Sequence, residues 1–136
     1  MERKKYYTYS FEKLDVWKMA REVRNRIYEI TRGFPNCEKY GLTSQLRRSL
    51  NGITDNLAEG SGRASSSDRA HFTNMAYSSA LESINQLISC HDQKYIDTDL
   101  YEELRTEMDQ VINKLNSFYK YQLNKGKSVK EQFRKT

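Results

Sequence analysis

The stretch Asn56-Leu57-Ala58-Glu59-Gly60-Ser61-Gly62-Arg63 joins two amphipathic helices of this chain. Apolar residues that lead into it recur at four-, three- and four-residue spacing, which places them on one face of a helix: Leu46, Leu50, Ile53 and, within the stretch, Leu57. Gly60 and Gly62 are expected to end this helix, because glycine readily adopts the left-handed backbone of a helix C-terminus. A serine among residues 65–67 is expected to cap the next helix, with Asp68 well placed in its first turn.

Apolar residues at helical spacing predict four helices, over roughly 11–32, 44–60, 67–93 and 97–124. The first is expected to end at Gly33-Phe34-Pro35, because proline disfavours a helical residue before it. Thr43 or Ser44 is expected to cap the second helix. The connections are short and no strand-like alternation of useful length occurs. The predicted fold is therefore all-α, an up-down antiparallel four-helix bundle.

The length of 136 residues is that of one domain with tails. We assign residues 11–124 to the bundle, 1–10 to a basic N-terminal extension and 125–136 to a basic C-terminal tail, which is expected to be frayed or disordered. No apolar run is long enough to span a membrane, and no apolar segment follows the basic N-terminus, so neither a membrane nor a signal peptide is expected. Two cysteines are too few for a disulfide framework and favour a cytoplasmic setting.

The net charge of +5 comes from the two ends of the chain. Residues 1–10 hold three basic groups and one acidic group, and residues 125–136 hold five basic groups and one acidic group, which leaves the bundle close to neutral. A basic tail can bind RNA or DNA by releasing condensed counterions, and it can also simply keep a protein soluble. Charge alone leaves both interpretations open.

The third helix carries two stripes of apolar or small side chains. One interpretation is a single wide face in a compact bundle, and the other is a second stripe that contacts another subunit. Aromatic residues are enriched in interfaces. The candidate interface residues therefore combine the second stripe with two aromatic residues of the first helix: Trp17, Tyr28, Tyr77, Leu81, Ile84 and Ile88.

Polar residues near the helix junction have a functional and a structural interpretation. Glu59 and Glu82 could form an acid pair for hydrolysis or metal binding. In the favoured structural interpretation, Asn56 and Glu59 bind backbone groups or Arg63 at the helix end, and Glu82 satisfies polar groups between helices. No histidine or cysteine has a paired-ligand spacing and no glycine-rich loop follows a strand, so we expect no catalytic residue, metal or cofactor.

Much of the chain resembles a known family of four-helix bundle proteins. Short pieces of matching sequence occur in the same order over roughly residues 11–95, and together they are specific. These pieces are Phe11-Glu12-Lys13-Leu14-Asp15-Val16-Trp17, Phe34-Pro35, Glu38-Lys39-Tyr40-Gly41-Leu42, Gln45-Leu46-Arg47-Arg48-Ser49, Ile53, Asn56-Leu57-Ala58-Glu59-Gly60, Gly62-Arg63, Phe72, Ala76, Ser79 and Glu82. They are similar to the 23S ribosomal RNA intervening-sequence proteins, which are related to the accessory variability determinant of diversity-generating retroelements. Ser78 departs from the family, which often has glycine there, and the fourth helix matches only in pattern.

The resemblance implies a bundle that assembles into a homo-oligomeric ring, usually a pentamer. It implies association with RNA, DNA or a ribonucleoprotein partner, since the retroelement relatives bind nucleic acid and a reverse transcriptase through a basic ring surface. It also implies a structural motif that comprises Asn56, Glu59, Gly60, Gly62, Ser79 and Glu82.

Two functions follow as hypotheses. The first is a non-enzymatic assembly protein that binds nucleic acid through basic residues of the bundle and the C-terminal tail: Arg47, Arg48, Arg63, Arg69, Lys125, Lys127, Lys130, Arg134 and Lys135. The alternative is a protein–protein interaction scaffold, a ring whose tails only aid solubility. Basic residues clustered on one face would favour the first, and an even spread would favour the second. We expect the first.

Overall fold

Four α-helices build the protein in the computed structural model, which describes the backbone of residues 5–134 and the side chains of residues 5–125. They are α1 (Asp15–Thr31), α2 (Leu42–Ser61), α3 (Ser66–Asp92) and α4 (Thr98–Arg134), and short 3-10 helices at Ser10–Lys13 and Asn36–Glu38 precede α1 and α2. Both α2 and α4 pack against α1 and against α3, so that α1 and α3 are diagonal neighbours. The predicted all-α four-helix bundle is confirmed.

The apolar seams predicted from helical spacing form the core of the bundle. None of these side chains is more than 5% exposed: Val16, Ala20, Val23 and Ile27 from α1, Leu46, Leu50, Ile53 and Leu57 from α2, Ala76, Ala80 and Leu87 from α3, and Leu104, Met108, Val111 and Leu115 from α4. The residues that α3 contributes at its centre are small. Small side chains allow a closer approach between helix axes, and α3 makes such an approach to α2.

The close approach of α2 and α3 occurs at two glycines of α2. A Cβ atom built on Gly60 would lie 2.7 Å from the Cβ of Phe72, and one built on Gly52 would lie 2.7 Å from Oγ of Ser79. Gly60 lies inside α2 and is buried, and no described glycine has a positive φ. The expectation that Gly60 and Gly62 end the helix through a left-handed backbone is therefore wrong. Gly60 serves helix packing, and Gly62 follows the helix with right-handed backbone angles.

A buried polar chain joins the same two helices. The hydroxyl of Ser83 donates to Oγ of Ser49 at 2.8 Å, and the hydroxyl of Ser49 donates to Oε1 of Gln86 at 2.6 Å. All three residues are buried. Each hydroxyl also lies within hydrogen-bond distance of a carbonyl oxygen of its own helix, Ser49 of Leu46 and Ser83 of Ser79. The bonds between the helices add to these and favour this register of α2 against α3.

The helix starts agree only in part with the sequence. Ser65 caps α3, since its hydroxyl oxygen accepts a hydrogen bond of 3.1 Å from the backbone N–H of Asp68, as expected. The cap predicted for α2 is wrong, because α2 begins at Leu42 and Thr43 is buried. In the first turn of α2, the backbone N–H of Leu42 instead donates a hydrogen bond of 3.3 Å to Oε1 of Glu38.

Two helix bounds also differ from the prediction. The first helix does not run unbroken from Phe11, because Leu14 has an extended backbone between the 3-10 helix and α1. The fourth helix does not fade near Asn124, and its backbone stays helical to Arg134. Residues 125–134 contain one glycine, Gly126, and no proline. The helix propensity of these residues therefore does not oppose continuation of α4 beyond the bundle.

The turn between α3 and α4 closes on a residue with a left-handed backbone. Lys94 has a φ of 63°, and the N–H groups of Lys94 and Tyr95 donate to the carbonyl oxygens of His91 and Cys90. This hydrogen-bond pattern is a Schellman motif, which usually places glycine at the left-handed position. The turn is held further by Tyr95, whose hydroxyl donates to Oε2 of Glu38 at 2.9 Å. This hydrogen bond to Glu38 raises the pKa of Tyr95 above its ordinary value.

Alanine substitution should destabilise the protein at Gly60 but not at Gly62. We expect Gly60→Ala to lower the free energy of unfolding by about 1–3 kcal/mol, because the new methyl group would overlap Phe72 where α2 and α3 approach closely. Gly62→Ala is the matched control. There a Cβ would meet only the carbonyl oxygen of Glu59 at 3.5 Å, so we expect no loss of stability or a gain of about 0.5 kcal/mol. Urea denaturation of both variants followed by circular dichroism would measure the difference, and equal effects would contradict the packing role of Gly60.

Candidate nucleic-acid interface

A shallow groove between α1 and α2 collects basic and aromatic side chains, and we call it the α1–α2 groove. Two adjoining cavities form it, and they share Tyr28 and Asn51. Its lining includes five cationic residues, Arg24, Arg32, Lys39, Arg47 and Arg48, and one acidic residue, Asp55. A surface with this excess of positive charge attracts polyanions.

Arg47 forms the floor of the groove and is engaged within the chain. Its Nε donates to Oγ1 of Thr31 at 2.9 Å, and one terminal nitrogen donates to the carbonyl oxygen of Tyr28 at 3.2 Å. Its guanidinium lies 4.6 Å from the centre of the Tyr28 ring. The hydroxyl of Tyr28 accepts a hydrogen bond of 2.7 Å from Nδ2 of Asn51. Arg47 therefore fastens α2 to the C-terminal end of α1, and it holds Tyr28 in place.

Three other cations of the groove have exposed side chains. These are Arg32 at the end of α1, Lys39 in the following loop and Arg48 on α2. Beside Lys39, the ring of Tyr40 is 87% exposed, and the Lys39 ammonium lies 5.5 Å from its centre. Exposed cations beside an exposed aromatic ring can contact the phosphates and the bases of a nucleic acid.

Arg63 and Arg69 belong to a different part of the bundle, at the turn between α2 and α3. Arg63 lies 4.5 Å from the centre of the Phe72 ring and forms an ion pair of 3.5 Å with Glu59. The Nε of Arg69 donates to the carbonyl oxygen of Arg63 at 2.7 Å. About 21 Å of helix separates Arg47 from the C-terminal end of α2 at Ser61. The basic residues predicted from sequence therefore do not form one cluster.

Arg69 and Lys125 share a second cavity at that end of the bundle, together with Phe118 and Gln122. Lys127, Lys130 and Arg134 lie in the C-terminal part of α4, where only the backbone is described. Lys135 lies outside the described residues. The structure therefore brings Lys125 towards Arg69 and places both away from the α1–α2 groove.

The polar motif residues make local structural contacts. Asn56 donates to the carbonyl oxygen of Gly52 at 2.8 Å, one turn earlier in α2. Glu82 accepts a hydrogen bond of 3.2 Å from Gln86 on its own helix. Glu59 lies beside Gly60 at one end of the α2–α3 contact, whereas Glu82 lies beside Ser83 towards the other, so the two glutamates do not converge.

Other reactive groups are dispersed. Burial raises the pKa of the Cys90 thiol to about 12, so this thiol stays protonated at neutral pH. Over the residues that the structure describes, no three His, Cys, Asp or Glu side chains are grouped so that they could hold a metal ion. Within the same residues, no helix is long and apolar enough to cross a membrane.

The candidate interface residues fall on two different faces. Trp17 and Tyr28 lie on α1, and both are partly buried. Leu81 and Ile88 lie on α3, diagonally across the bundle, and are 47% and 37% exposed. Tyr77 and Ile84 flank them and pack partly against the core. We call these four residues of α3 the α3 stripe.

Sequence reasoning missed several cations of the groove. Arg24, Tyr28 and Arg32 follow helical spacing along the flank of α1, whereas Lys39 reaches the groove from the loop between α1 and α2. The sequence feature that could have indicated these cations is the run of basic and aromatic residues beside the apolar seam of α1. Nothing in that run showed which side of the bundle it would face.

Together the fold and the groove define a class of protein, a four-helix bundle with a basic and aromatic face. Its sequence matches the family described as 23S rRNA-intervening sequence protein over residues 12–117. The chain belongs to this family, as the sequence resemblance indicated.

A solved structure has the same fold. It is described as a protein with unknown function from the S23 ribosomal protein family, from Bacteroides thetaiotaomicron. Its TM-score with this chain is 0.71 at 23% sequence identity, over 77% of this chain and 98% of that chain. Identity at this level supports the fold and not the activity. No curated protein matches the chain.

Arg47 and Arg48 should differ in their contributions to stability. We expect Arg47→Ala to lower the free energy of unfolding by about 1–3 kcal/mol, since it removes two charge-assisted hydrogen bonds and a contact with Tyr28. Arg48→Ala is the neighbouring control, and its exposed side chain predicts a change within about 0.5 kcal/mol. Thermal or urea denaturation of the two variants would test this, and equal stabilities would rule out a fastening role for Arg47.

Proposed function

We propose that this protein is a non-enzymatic nucleic-acid-binding protein and that the α1–α2 groove is its principal contact surface. The observation that carries the proposal is the collection of five cations and two tyrosines in one groove with a single acidic residue. The basic residues of the groove also differ in how they are engaged, and this difference supports the proposal. Arg47 is fixed by hydrogen bonds to α1, while Arg32, Lys39 and Arg48 remain exposed for phosphates.

RNA is the first ligand to test. The description of the family refers to 23S rRNA. Contacts made mainly through arginine and lysine to phosphates would have little sequence preference. We assign a supporting role to Arg69, Lys125 and the basic residues that follow along α4, since they lie at the opposite end of α2 from the groove.

Removal of the exposed groove cations should weaken binding in a salt-dependent manner. For the triple variant Arg32→Ala, Lys39→Ala, Arg48→Ala, we expect at least a tenfold weaker affinity for RNA at low salt. The slope of the logarithm of affinity against the logarithm of salt concentration should fall by roughly one for each phosphate that the variant no longer neutralises. Fluorescence anisotropy with labelled RNA over a range of salt concentrations would measure both quantities.

Lys120→Ala is a matched control, because Lys120 is exposed on α4 and does not line the groove. Its affinity and salt slope should stay at wild-type values. An equal decrease for each positive charge removed, in the control and in the groove variant, would mean that overall charge, and not this surface, carries binding. No binding by the wild-type protein at low salt would overturn the proposal and favour a protein–protein scaffold.

We also propose that copies of the chain associate through the α3 stripe. Two observations support this. Leu81 and Ile88 are both exposed, two turns apart along α3, and the partly buried Tyr77 and Ile84 lie one turn before each of them. Self-association would remove this apolar stripe from water, and it agrees with the ring that the resemblance implies. The α1–α2 groove would stay accessible, because α1 lies diagonally opposite α3.

A charged residue within the α3 stripe should disrupt this assembly. We expect Leu81→Glu to lower the mass in solution to that of a monomer, since a buried unpaired carboxylate is costly. Gln45→Glu adds the same charge at an exposed position of α2 and should leave the mass unchanged. Light scattering coupled to size exclusion would measure the masses. A monomeric wild-type protein, or an unchanged mass for Leu81→Glu, would contradict association through this stripe.

A further inference from the structure

A ladder of aromatic side chains leads from the N-terminal segment onto α1. The rings of Tyr7 and Tyr9 are 5.1 Å apart between centres, those of Tyr9 and Phe11 are 6.4 Å apart, and those of Phe11 and Trp17 are 5.3 Å apart. We call these four residues the aromatic ladder. Trp17 lies against the core, so the ladder is anchored at one end on the bundle.

The outer members of the ladder expose most of their surface. Tyr7 is 73% exposed and Tyr9 is 60% exposed, although each contacts another ring. The segment is held in place by Glu12, whose Oε2 accepts a hydrogen bond of 2.7 Å from the backbone N–H of Tyr9. Their ring surfaces are therefore presented to solvent on an anchored support and not buried in the core.

Three basic side chains lie near Trp17, at the inner end of the ladder. The guanidinium of Arg21 lies 5.5 Å from the centre of the Trp17 ring. Lys13, Lys18 and Arg21 line a shallow cavity beside Trp17, together with the acidic residues Glu12 and Glu22. Along α1, Arg24 follows Arg21 by one turn and lines the α1–α2 groove, so basic residues lead from Trp17 at the inner end of the ladder to the groove.

We propose that the aromatic ladder is a stacking platform for the unpaired bases of a single-stranded nucleic acid whose backbone continues into the α1–α2 groove. This inference rests on the proposed function of the groove and adds the kind of nucleic acid that it prefers. Every base has a flat π surface that can stack on an exposed ring, whereas the bases of a duplex are already stacked on each other. The platform therefore selects single strands, while the groove cations bind phosphates of either form.

Charge and continuity favour a nucleic acid over a protein partner at this surface. Flanking lysines and arginines suit a ligand that alternates flat apolar groups with negative charges. Tyrosine and arginine also occur at protein interfaces. A protein-binding ladder, however, would not need to lead directly into a groove with five cations.

The single tryptophan of the chain allows a direct test, because Trp17 is at the foot of the ladder. We would titrate the full-length protein with a 12-nucleotide oligouridylate, and separately with an RNA duplex of equal length, while following Trp17 emission and anisotropy. Stacking predicts quenching by the single strand and tighter binding of the single strand than of the duplex. For Tyr7→Leu, Tyr9→Leu, we expect at least a tenfold weaker affinity for oligouridylate with little change in duplex affinity, since stacking on one base is worth roughly tenfold or more.

The double variant Tyr7→Phe, Tyr9→Phe is the matched control, because it keeps both rings and removes only the hydroxyl groups. It should bind single strands as the wild-type protein does, and the salt slopes of both variants should stay at the wild-type value because every cation is retained. Unchanged single-strand affinity in the leucine variant would overturn this inference. The proposed function would stand in that case if the groove variant still weakened binding, whereas the absence of any binding by the wild-type protein would overturn both.

Discussion

The close contact between α2 and α3 is the constraint on which the rest of the structure depends. Gly52 and Gly60 allow α3 to approach α2 until Ser79 and Phe72 occupy the space that side chains would fill. This proximity places Ser49 within hydrogen-bond distance of both Ser83 and Gln86. Packing sets the distance between the helices, and the polar chain sets their register. A shift by one residue would lose the two hydrogen bonds that join the helices, and Oε1 of Gln86 would lose the donor that it has from Ser49.

With α2 fixed in this way, its opposite flank supports the basic surface. Arg47 reaches from α2 to the end of α1, and its hydrogen bonds hold the two helices that form the groove. On the other side of α1, Arg26 forms ion pairs with Glu103 and Glu107 of α4. The hydrogen bond to Glu103 raises the pKa of Arg26 further above its ordinary value. Arginine therefore has two uses in this chain: some arginines fasten α1 to its neighbours, and others remain on the surface.

The sequence predicts the helices and the core well. Apolar residues recur every three to four positions on the buried face of a helix, whichever element packs against that face. It predicts the role of Gly60 poorly. A glycine near a helix end can end the helix in a left-handed conformation, or it can allow a neighbouring helix to pack closely. Only the position of Phe72 shows that Gly60 has the second role. Arg47 illustrates the same limit at the candidate site. Its partners Tyr28 and Thr31 lie nineteen and sixteen residues earlier, so no local pattern shows that it is engaged. Family membership fixes the fold but not the ligand, which has to be argued from the surface.

The position of Trp17 has a consequence for spectroscopy of this protein. Its indole lies partly exposed near the start of α1, beneath Phe11, and not among the fully buried residues. Intrinsic emission therefore reports on docking of the N-terminal segment as well as on the bundle. If that segment detaches below the main transition, emission and helicity will change at different temperatures. Such non-coincident curves would mark local release of one segment and would not by themselves indicate a folding intermediate of the four helices.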